Sequence, residues 1–279
     1  MTTFGLKAGC GRLIEYDNAD DLATLYESGM LADVLPIGSG SNMLFVSPRY
    51  DGTVLHCRSA HMEFSAPDAK GRVVCTAAAG VTLDDLCREA CARGLWGIEN
   101  LSGIPGEVGG ASVQNVGAYG TEWKDVAVEI RSFDTATGRT ISLSNADCSY
   151  GYRDSMFKHL DGPGSLIVYE AVLELSTRPQ PVLSYAALQK AFGDSEPQTL
   201  TPEVLRQEVI ALRDAKLPSP AQTGSAGSFF KNPVVSSEEF ERMQAQSDTP
   251  MPGHRLDSGY VKLSAAWLMC TPIREEAEA

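Results

Sequence analysis

Apolar residues at 83, 86, 87, 90 and 91 recur at helical spacing between Thr82 and Gly94. A stripe of this kind turns one face of a helix toward a core, with Thr82 as N-cap and Gly94 as C-cap. Residues 201–214 repeat the arrangement: Thr201 caps, Pro202 takes the first helical position and the helix runs to about Asp214. Shorter helices are predicted over 22–26 behind the capping run Asn18 to Asp21, over 184–192, from Ser236 or Ser237 to Gln244, and over 260–269. Residues 34–37, 53–57, 72–77 and 166–175 read as strands, and 126–133 and 139–143 alternate around Thr137 and Gly138 as a hairpin. Short strands, hairpins and few helices, without regular βαβ alternation, predict an α+β fold.

Between residues 97 and 120 neither period holds. Glycine stands at 97, 103, 106, 109, 110, 117 and 120. Each interior glycine costs a helix about 1 kcal/mol, so the stretch is expected to be an ordered loop without helix, pressed against a flat or anionic ligand. A pair of tight turns beside a core is the simpler alternative. A second loop, Gly38-Ser39-Gly40-Ser41-Asn42, follows the strand at 34–37. Its backbone N–H groups and short hydroxyls suit a phosphate, although a tight turn accounts for them equally. No helix follows, so the dinucleotide-binding context of a GxGxxG motif is missing.

Length and composition narrow the field. A chain of 279 residues has room for two domains or three small ones. A net charge of −13 argues against a general nucleic-acid binder, while local Lys and Arg still decide whether an anionic small molecule binds. The N-terminus lacks a basic and an apolar region, and no run of 18 apolar residues occurs, which predicts neither a signal peptide nor a membrane span. The seven cysteines (10, 57, 75, 87, 91, 148, 270) include no CxxC pair and point to a reducing cytoplasm. Cys87 and Cys91 share a helix face and read as packing. Neither they nor His56, His61, His159 and His254 have metal-ligand spacing.

Three further places carry candidate chemistry. Arg153 sits among aromatics in the stretch from Tyr150 to Lys158, and a buried guanidinium there needs a carboxylate or phosphate partner, a structural Asp being the plain reading. Ser228 stands beside Gly227 and Phe229 with no GxSxG elbow and no nearby His, which argues against a hydrolase. Arg213 and Lys216 close a helix, where they either meet an anion or complement the helix C-terminus.

Taken together, these stretches resemble the UDP-N-acetylenolpyruvoylglucosamine reductase family, flavoenzymes of peptidoglycan precursor synthesis. The matching pieces are Thr3 to Leu6, Ile37 to Leu44, the whole 97–120 stretch, Tyr150 to Lys158, Gln180 to Tyr185, Arg213 to Pro218, Gly227 to Pro233 and Val261 to Leu268, in the family's order and in the manner of its type I branch. The resemblance implies a two-lobed FAD-binding domain of the vanillyl-alcohol-oxidase (PCMH) type in residues 1–62 and 63–217, and a smaller α+β substrate domain in 218–279. FAD would lie on Gly38, Ser39, Gly40, Ser41 and Asn42 and on Ile104, Pro105, Gly106, Gly109, Gly110, Asn115, Gly117, Ala118 and Tyr119. NADPH would reduce the flavin. UDP-N-acetylglucosamine enolpyruvate would then accept hydride at C3 and a proton at C2, giving UDP-N-acetylmuramate. By the same resemblance Arg153 would stabilise the enolate electrostatically and Ser228 would donate the proton. Tyr185, Arg213, Lys216, Asn232 and Lys262 would hold the sugar nucleotide. A cytoplasmic monomer with no metal, nucleic-acid or membrane partner is expected.

One departure stands at the end. After Trp267 and Leu268 the family continues through a helix to a strand bearing a glutamate that assists protonation, whereas here eleven residues, Met269 to Ala279, follow. Glu275, Glu276 and Glu278 show no strand pattern, and the glutamate's role is assigned to none of them. The alternative expectation is therefore a truncated, catalytically impaired flavin- or nucleotide-binding protein of the same family.

Overall fold

The computed structural model describes residues 2–162, 164–218, 222–225, 230–256 and 258–270. They fall into two compact units, residues 1–226 and 227–279.

The first unit holds two sheets. β1 (Gly9–Tyr16), β2 (Val34–Pro36) and β3 (Arg49–Cys57) form a parallel sheet in the order β1-β3-β2. Helix α1 (Ala19–Glu27) joins β1 to β2, and the Asn18 side chain accepts from the amides of Asp20 and Asp21. The second sheet is antiparallel. It is built from β4 (Met62–Phe64), β5 (Arg72–Ala78), β8 (Ala127–Asp134), β9 (Arg139–Ser144) and β10 (Leu166–Ser176), in the order β4-β5-β10-β8-β9. The hairpin predicted around Gly138 joins β8 to β9, with Gly138 at φ +68°. Helix α2 (Leu83–Ala92) packs Leu83, Leu86, Cys87 and Ala90 into the main core beside Ile98, Leu101, Trp123, Ile130 and Leu173. Its Thr82 cap and Gly94 stop are as the sequence predicts. Five cysteines (57, 75, 87, 91, 148) are buried, Cys10 is half-buried and Cys270 is exposed.

The glycine-rich stretch corrects one expectation. It contains helix α3 (Val108–Gln114), with Gly109 and Gly110 inside it. Contact explains the first of these glycines: a Cβ on Gly109 would stand 3.0 Å from that of Ala79, and the Gly109 N–H donates to Ala79 O at 2.9 Å. Close docking on the end of β5 outweighs the propensity cost. Asn115 then ends the helix in the left-handed region, φ 43°. A two-residue hairpin follows, β6 (Gly117–Ala118) with β7 (Thr121–Glu122).

Helices α4 (Ala186–Phe192) and α5 (Pro202–Asp214) form a second apolar cluster of Leu188, Leu200, Leu205 and Val209 with Trp96. Thr201 caps α5 by accepting from Val204 N at 3.2 Å, as predicted.

The second unit is an antiparallel sheet of β11 (Val234–Ser236), β12 (Gly253–Arg255) and β13 (Tyr260–Leu263), in the order β11-β13-β12, with α6 (Ser237–Ala245) and α7 (Ala265–Cys270). The helix expected over 260–269 is thus a strand followed by a helix. Val261 and Leu263 alternate inward onto Met251, and a period of two puts them in a sheet. The mixture of helices with largely antiparallel sheets is the α+β class expected.

Candidate functional site

The two glycine loops meet. The ideal Cβ position of Gly106, at φ +132°, lies 2.9 Å from Ser41 Oγ, and that of Gly38 lies 3.0 Å from Glu107 Oε2. Gly40 holds φ +67°, a conformation open to glycine and costly for other residues. Thr3 Oγ1 donates to Ser41 O at 2.7 Å and ties the loop to the N-terminal segment. Among the described residues, none of the backbone N–H groups of Gly38, Ser39, Gly40, Ser41 and Asn42 finds an acceptor. Thr2 Oγ1, whose side chain lies against Gly40, is buried and also without a partner. Unclaimed amides in a short loop that follows a strand are what a phosphate group requires.

In the second loop Ile104 packs against the core, whereas Pro105 and Gly110 are exposed. A Cβ on Gly110 would meet nothing within 4 Å. Packing inside the protein therefore gives no reason for a glycine there, unlike at Gly109.

Further along, the loop is held from beneath. The Asn115 side chain is fully committed: Nδ2 donates to Glu122 Oε2 at 3.0 Å and to Gly151 O at 2.7 Å, and Oδ1 accepts from Lys124 N at 3.0 Å. Its predicted place at the cofactor is thus structural as far as the side chain goes. Arg153 reaches the same point, its guanidinium donating to Gly117 O and, at 3.4 Å, to Asn115 O. Among the described residues it forms no carboxylate ion pair, so a structural Arg153–Asp bridge is not what holds it. Arg153 has φ 55°, and Lys158 Nζ donates to its carbonyl at 2.8 Å. Ala118 lies in the short β6 hairpin, and Tyr119, at φ 50°, gives its carbonyl to Asn100 Nδ2 at 2.7 Å.

A cationic corner lies at the far end of the stretch. Tyr119 and Tyr185 meet edge to face at 4.9 Å. Lys216 Nζ lies 3.4 Å from the Tyr185 hydroxyl and 5.5 Å from its ring centre. Arg213 Nε donates to Gly103 O at 3.1 Å. Burial lowers the pKa of Arg213 below the usual arginine value and raises that of the Tyr119 phenol, against which Arg213 and Lys216 act. Neither cation forms a carboxylate ion pair among the described residues. Tyr119, Tyr185, Arg213 and Lys216 are thus brought together, and Arg153 reaches Gly117 of the same stretch from the turn at 151–154.

In the second unit, Asn232 Oδ1 accepts from Ala265 N at 3.0 Å and so caps α7, and Lys262 sits on β13 opposite Val234 and His254. Ser228 lies outside the described residues. A cavity of about 550 Å³ beside Tyr26, Asp33, Tyr50 and Asp161 includes none of the predicted site residues.

Two arrangements were not foreseen. Asp84, in the first turn of α2, accepts from Gly103 N at 2.7 Å and from Arg206 of α5 at 2.5 and 3.1 Å. With Arg213 on its carbonyl, Gly103 is gripped at both its N–H and its C=O. The signal was an arginine beside Leu205 on the buried stripe of α5. The second is His56 of β3, which places Nε2 at 3.3 and 3.2 Å from the two oxygens of Glu107.

An FAD binding domain family matches residues 14–144. The UDP-N-acetylenolpyruvoylglucosamine reductase of Bacteroides fragilis strain YCH46 is 38% identical over 268 residues, covering 96% of this chain and 79% of the relative. That of Neisseria meningitidis serogroup A is 41% identical over 272 residues, covering 96% and 77%. The chain belongs to the UDP-N-acetylenolpyruvoylglucosamine reductase family. The crystal structure of the reductase (MurB) from Thermus caldophilus matches with a TM-score of 0.55 at 24% identity, over 90% of this chain and 80% of that one, a likeness of fold. Within this reductase family, then, the 38–42 loop and the glycine stretch are parts of one connected assembly in the first unit. Among the described residues, no helix is long and apolar enough to cross a membrane.

Proposed function

We infer that the chain is an NADPH-dependent, FAD-containing reductase that converts UDP-N-acetylglucosamine enolpyruvate to UDP-N-acetylmuramate in peptidoglycan precursor synthesis. The observation that carries this reading is identity of 38–41% to reductases of that name across 96% of the chain. The geometry fits FAD: unclaimed amides at 38–42, a buried unpartnered Thr2 hydroxyl, and a glycine at 110 open to an outside surface. Bound FAD supplies the two-electron link between NADPH and the enolpyruvyl double bond.

The chain's own residues divide the remaining work. The 38–42 amides hold the diphosphate of the cofactor. Gly106 and Gly110 let the backbone come close to the flavin, while Ile104, Pro105, Gly109, Gly117, Ala118 and Tyr119 shape that surface. Asn115 and Arg153 brace the loop from below, and Arg153 carries a positive charge to the reacting end, where it stabilises the enolate. Ser228 donates the proton at C2. Tyr185, Arg213 and Lys216 supply aromatic surface and positive charge for the sugar nucleotide, joined by Asn232 and Lys262. Local cations of this kind let a chain of net charge −13 take an anionic substrate. In this reading residues 1–62 and 63–217 are the two flavin lobes and 218–279 belong to the substrate domain. The enzyme works in the cytoplasm as a monomer.

The test is a sequence of additions to the purified chain without oxygen. A flavin spectrum, its bleaching by NADPH, and its return on adding the enolpyruvyl substrate support the reading. Bleaching without return refutes the reductase assignment, and absence of bound or bindable flavin refutes the whole.

A further inference from the structure

The unclaimed amides of the 38–42 loop have a carboxylate behind them. Glu107 is 8% exposed, and its Oε2 stands 3.0 Å from the ideal Cβ position of Gly38. A buried carboxylate next to a phosphate-binding loop repels the ligand unless its charge is neutralised. Among the described residues the neutralising group in contact is His56, with Nε2 at 3.2 Å from Glu107 Oε2 and Nδ1 at 3.8 Å from Glu15 Oε1 on β1. The remaining neighbours do not supply a cation. The Tyr16 phenol of β1 donates to Val168 O, and burial raises the pKa values of both Tyr16 and the Cys57 thiol, keeping them protonated. Arg58 lies toward Glu15 but is engaged by Asp17 at 2.7 Å. Among the described residues Glu107 has no other ion-pair partner. Burial raises the Glu107 pKa while the His56 contact acts against that rise.

We propose that His56 and Glu107 form a proton-holding pair behind the cofactor loop, and that the chain takes up a proton at this pair when the diphosphate of FAD settles on the amides of residues 38–42. The proposal rests on the reading of that loop as the cofactor's diphosphate site. The proton comes from solvent. With it the pair is neutral overall, whether the carboxylate faces an imidazolium or is itself protonated. Without it the pair presents a net negative charge to the incoming diphosphate. His56 and Glu107 are thus positioning residues for cofactor binding, and the linkage makes FAD affinity fall as pH rises.

The experiment is titration calorimetry of the flavin-stripped full chain with FAD at pH 8, in phosphate and in Tris, whose ionisation enthalpies differ widely. Proton uptake makes the apparent binding enthalpies differ, by an amount corresponding to between half a proton and one proton per FAD. Glu107→Gln removes the repelling charge while keeping the shape. It abolishes the buffer difference and binds FAD at pH 8 at least as tightly as the parent. His56→Gln strands the carboxylate and weakens binding at pH 8 by about tenfold or more, and adding Glu107→Gln to that variant restores it. A purely structural contact predicts instead that Glu107→Gln weakens binding about as much as His56→Gln, and that result overturns the proposal. Equal enthalpies in both buffers with tight FAD binding by the parent chain also overturn it, leaving the cofactor assignment intact, and this comparison needs no variant to fold. Failure of the parent to bind FAD overturns both.

Discussion

The grip of Asp84 and Arg206 on Gly103 makes a quantitative prediction whose asymmetry is its strength. The Arg206 side chain is 8% exposed and that of Asp84 is 38% exposed. Asp84→Ala strands a buried guanidinium and also leaves the Gly103 N–H without its acceptor. Breaking a fully buried pair from one side costs roughly 3–5 kcal/mol, and a surface pair is worth about 0–1. With one partner half in solvent, about 2 kcal/mol is the appropriate discounted value. The lost amide bond adds about 1 kcal/mol, giving about 3 in all. Arg206→Met keeps the buried stem volume and leaves behind only a half-solvated carboxylate still bonded to Gly103 N–H, so its cost is about 1 kcal/mol. For a unit of this size each kcal/mol moves Tm by about 2–4 °C. The expected drops are therefore about 6–12 °C and about 2–4 °C. Thermal unfolding of flavin-free protein is the assay, because bound ligand masks such differences. The Arg206 hydrogen bond lowers the Asp84 pKa below the usual aspartate value. Its contribution is therefore present above the unfolded-state pKa and is lost as pH falls through the lowered folded value. The gap between parent and Asp84→Ala must close in acid. Equal costs for the two variants, or a gap independent of pH, would refute the reasoning.

Other outcomes follow from single sites. Glu99 is 1% exposed and accepts from Gly97 N at 2.7 Å, and burial raises its pKa. A raised carboxyl favours the fold at low pH and opposes it as pH rises, so Glu99→Gln should leave stability at pH 8 unchanged or higher, with a flatter pH profile in thermal melts. Gly110→Ala should raise the stability of the flavin-free chain by up to about 1 kcal/mol, since it improves helix propensity in open space. The same change should weaken FAD binding measured by fluorescence quenching, and unaltered affinity would remove Gly110 from the flavin surface. Arg153→Lys loses the two-pronged donation to Asn115 O and Gly117 O. Turnover with the enolpyruvyl substrate should fall by about two orders of magnitude, while bleaching of the flavin by NADPH persists; an equal loss in both steps would make Arg153 structural only.

The parts of the fold that were legible in the sequence are those fixed by local chemistry. Thr82, Thr201 and Asn18 announce their helices because a short side-chain oxygen satisfies free amides wherever the chain begins to coil. The β8–β9 hairpin was readable because Gly138 supplies the positive φ that the turn needs. Helix α3 was not, because its reason is distant: Ala79 at the end of β5 demands a glycine at the contact. The strand β13 was read as helix because its partners, β11 and β12, are short segments whose pairing only the tertiary structure supplies. The site shows the same division. The two loops were visible as glycine and hydroxyl clusters. The side chains that hold them in place were not: His56 and Glu107 are 51 positions apart, and Asp84 and Arg206 are 122 apart. No spacing rule reaches across such intervals. Arg213 and Lys216 lay between, noticed for their charge but placed only by Gly103 and Tyr185.

The buried cysteines lend the first unit a use unrelated to catalysis. Cys57 lies on β3, Cys75 on β5, Cys87 and Cys91 on α2, and Cys148 beyond β9, so a thiol sits in each layer around the core. Burial pushes Cys75 and Cys91 up to about 12, and the other three also above the usual thiol value, so that in the folded state they are neutral and shielded. An alkylating reagent meets only Cys10 and Cys270 until a layer opens. The rate at which each interior thiol is labelled therefore clocks the opening of its own layer, and the protein carries a set of natural reporters of partial unfolding without any added probe.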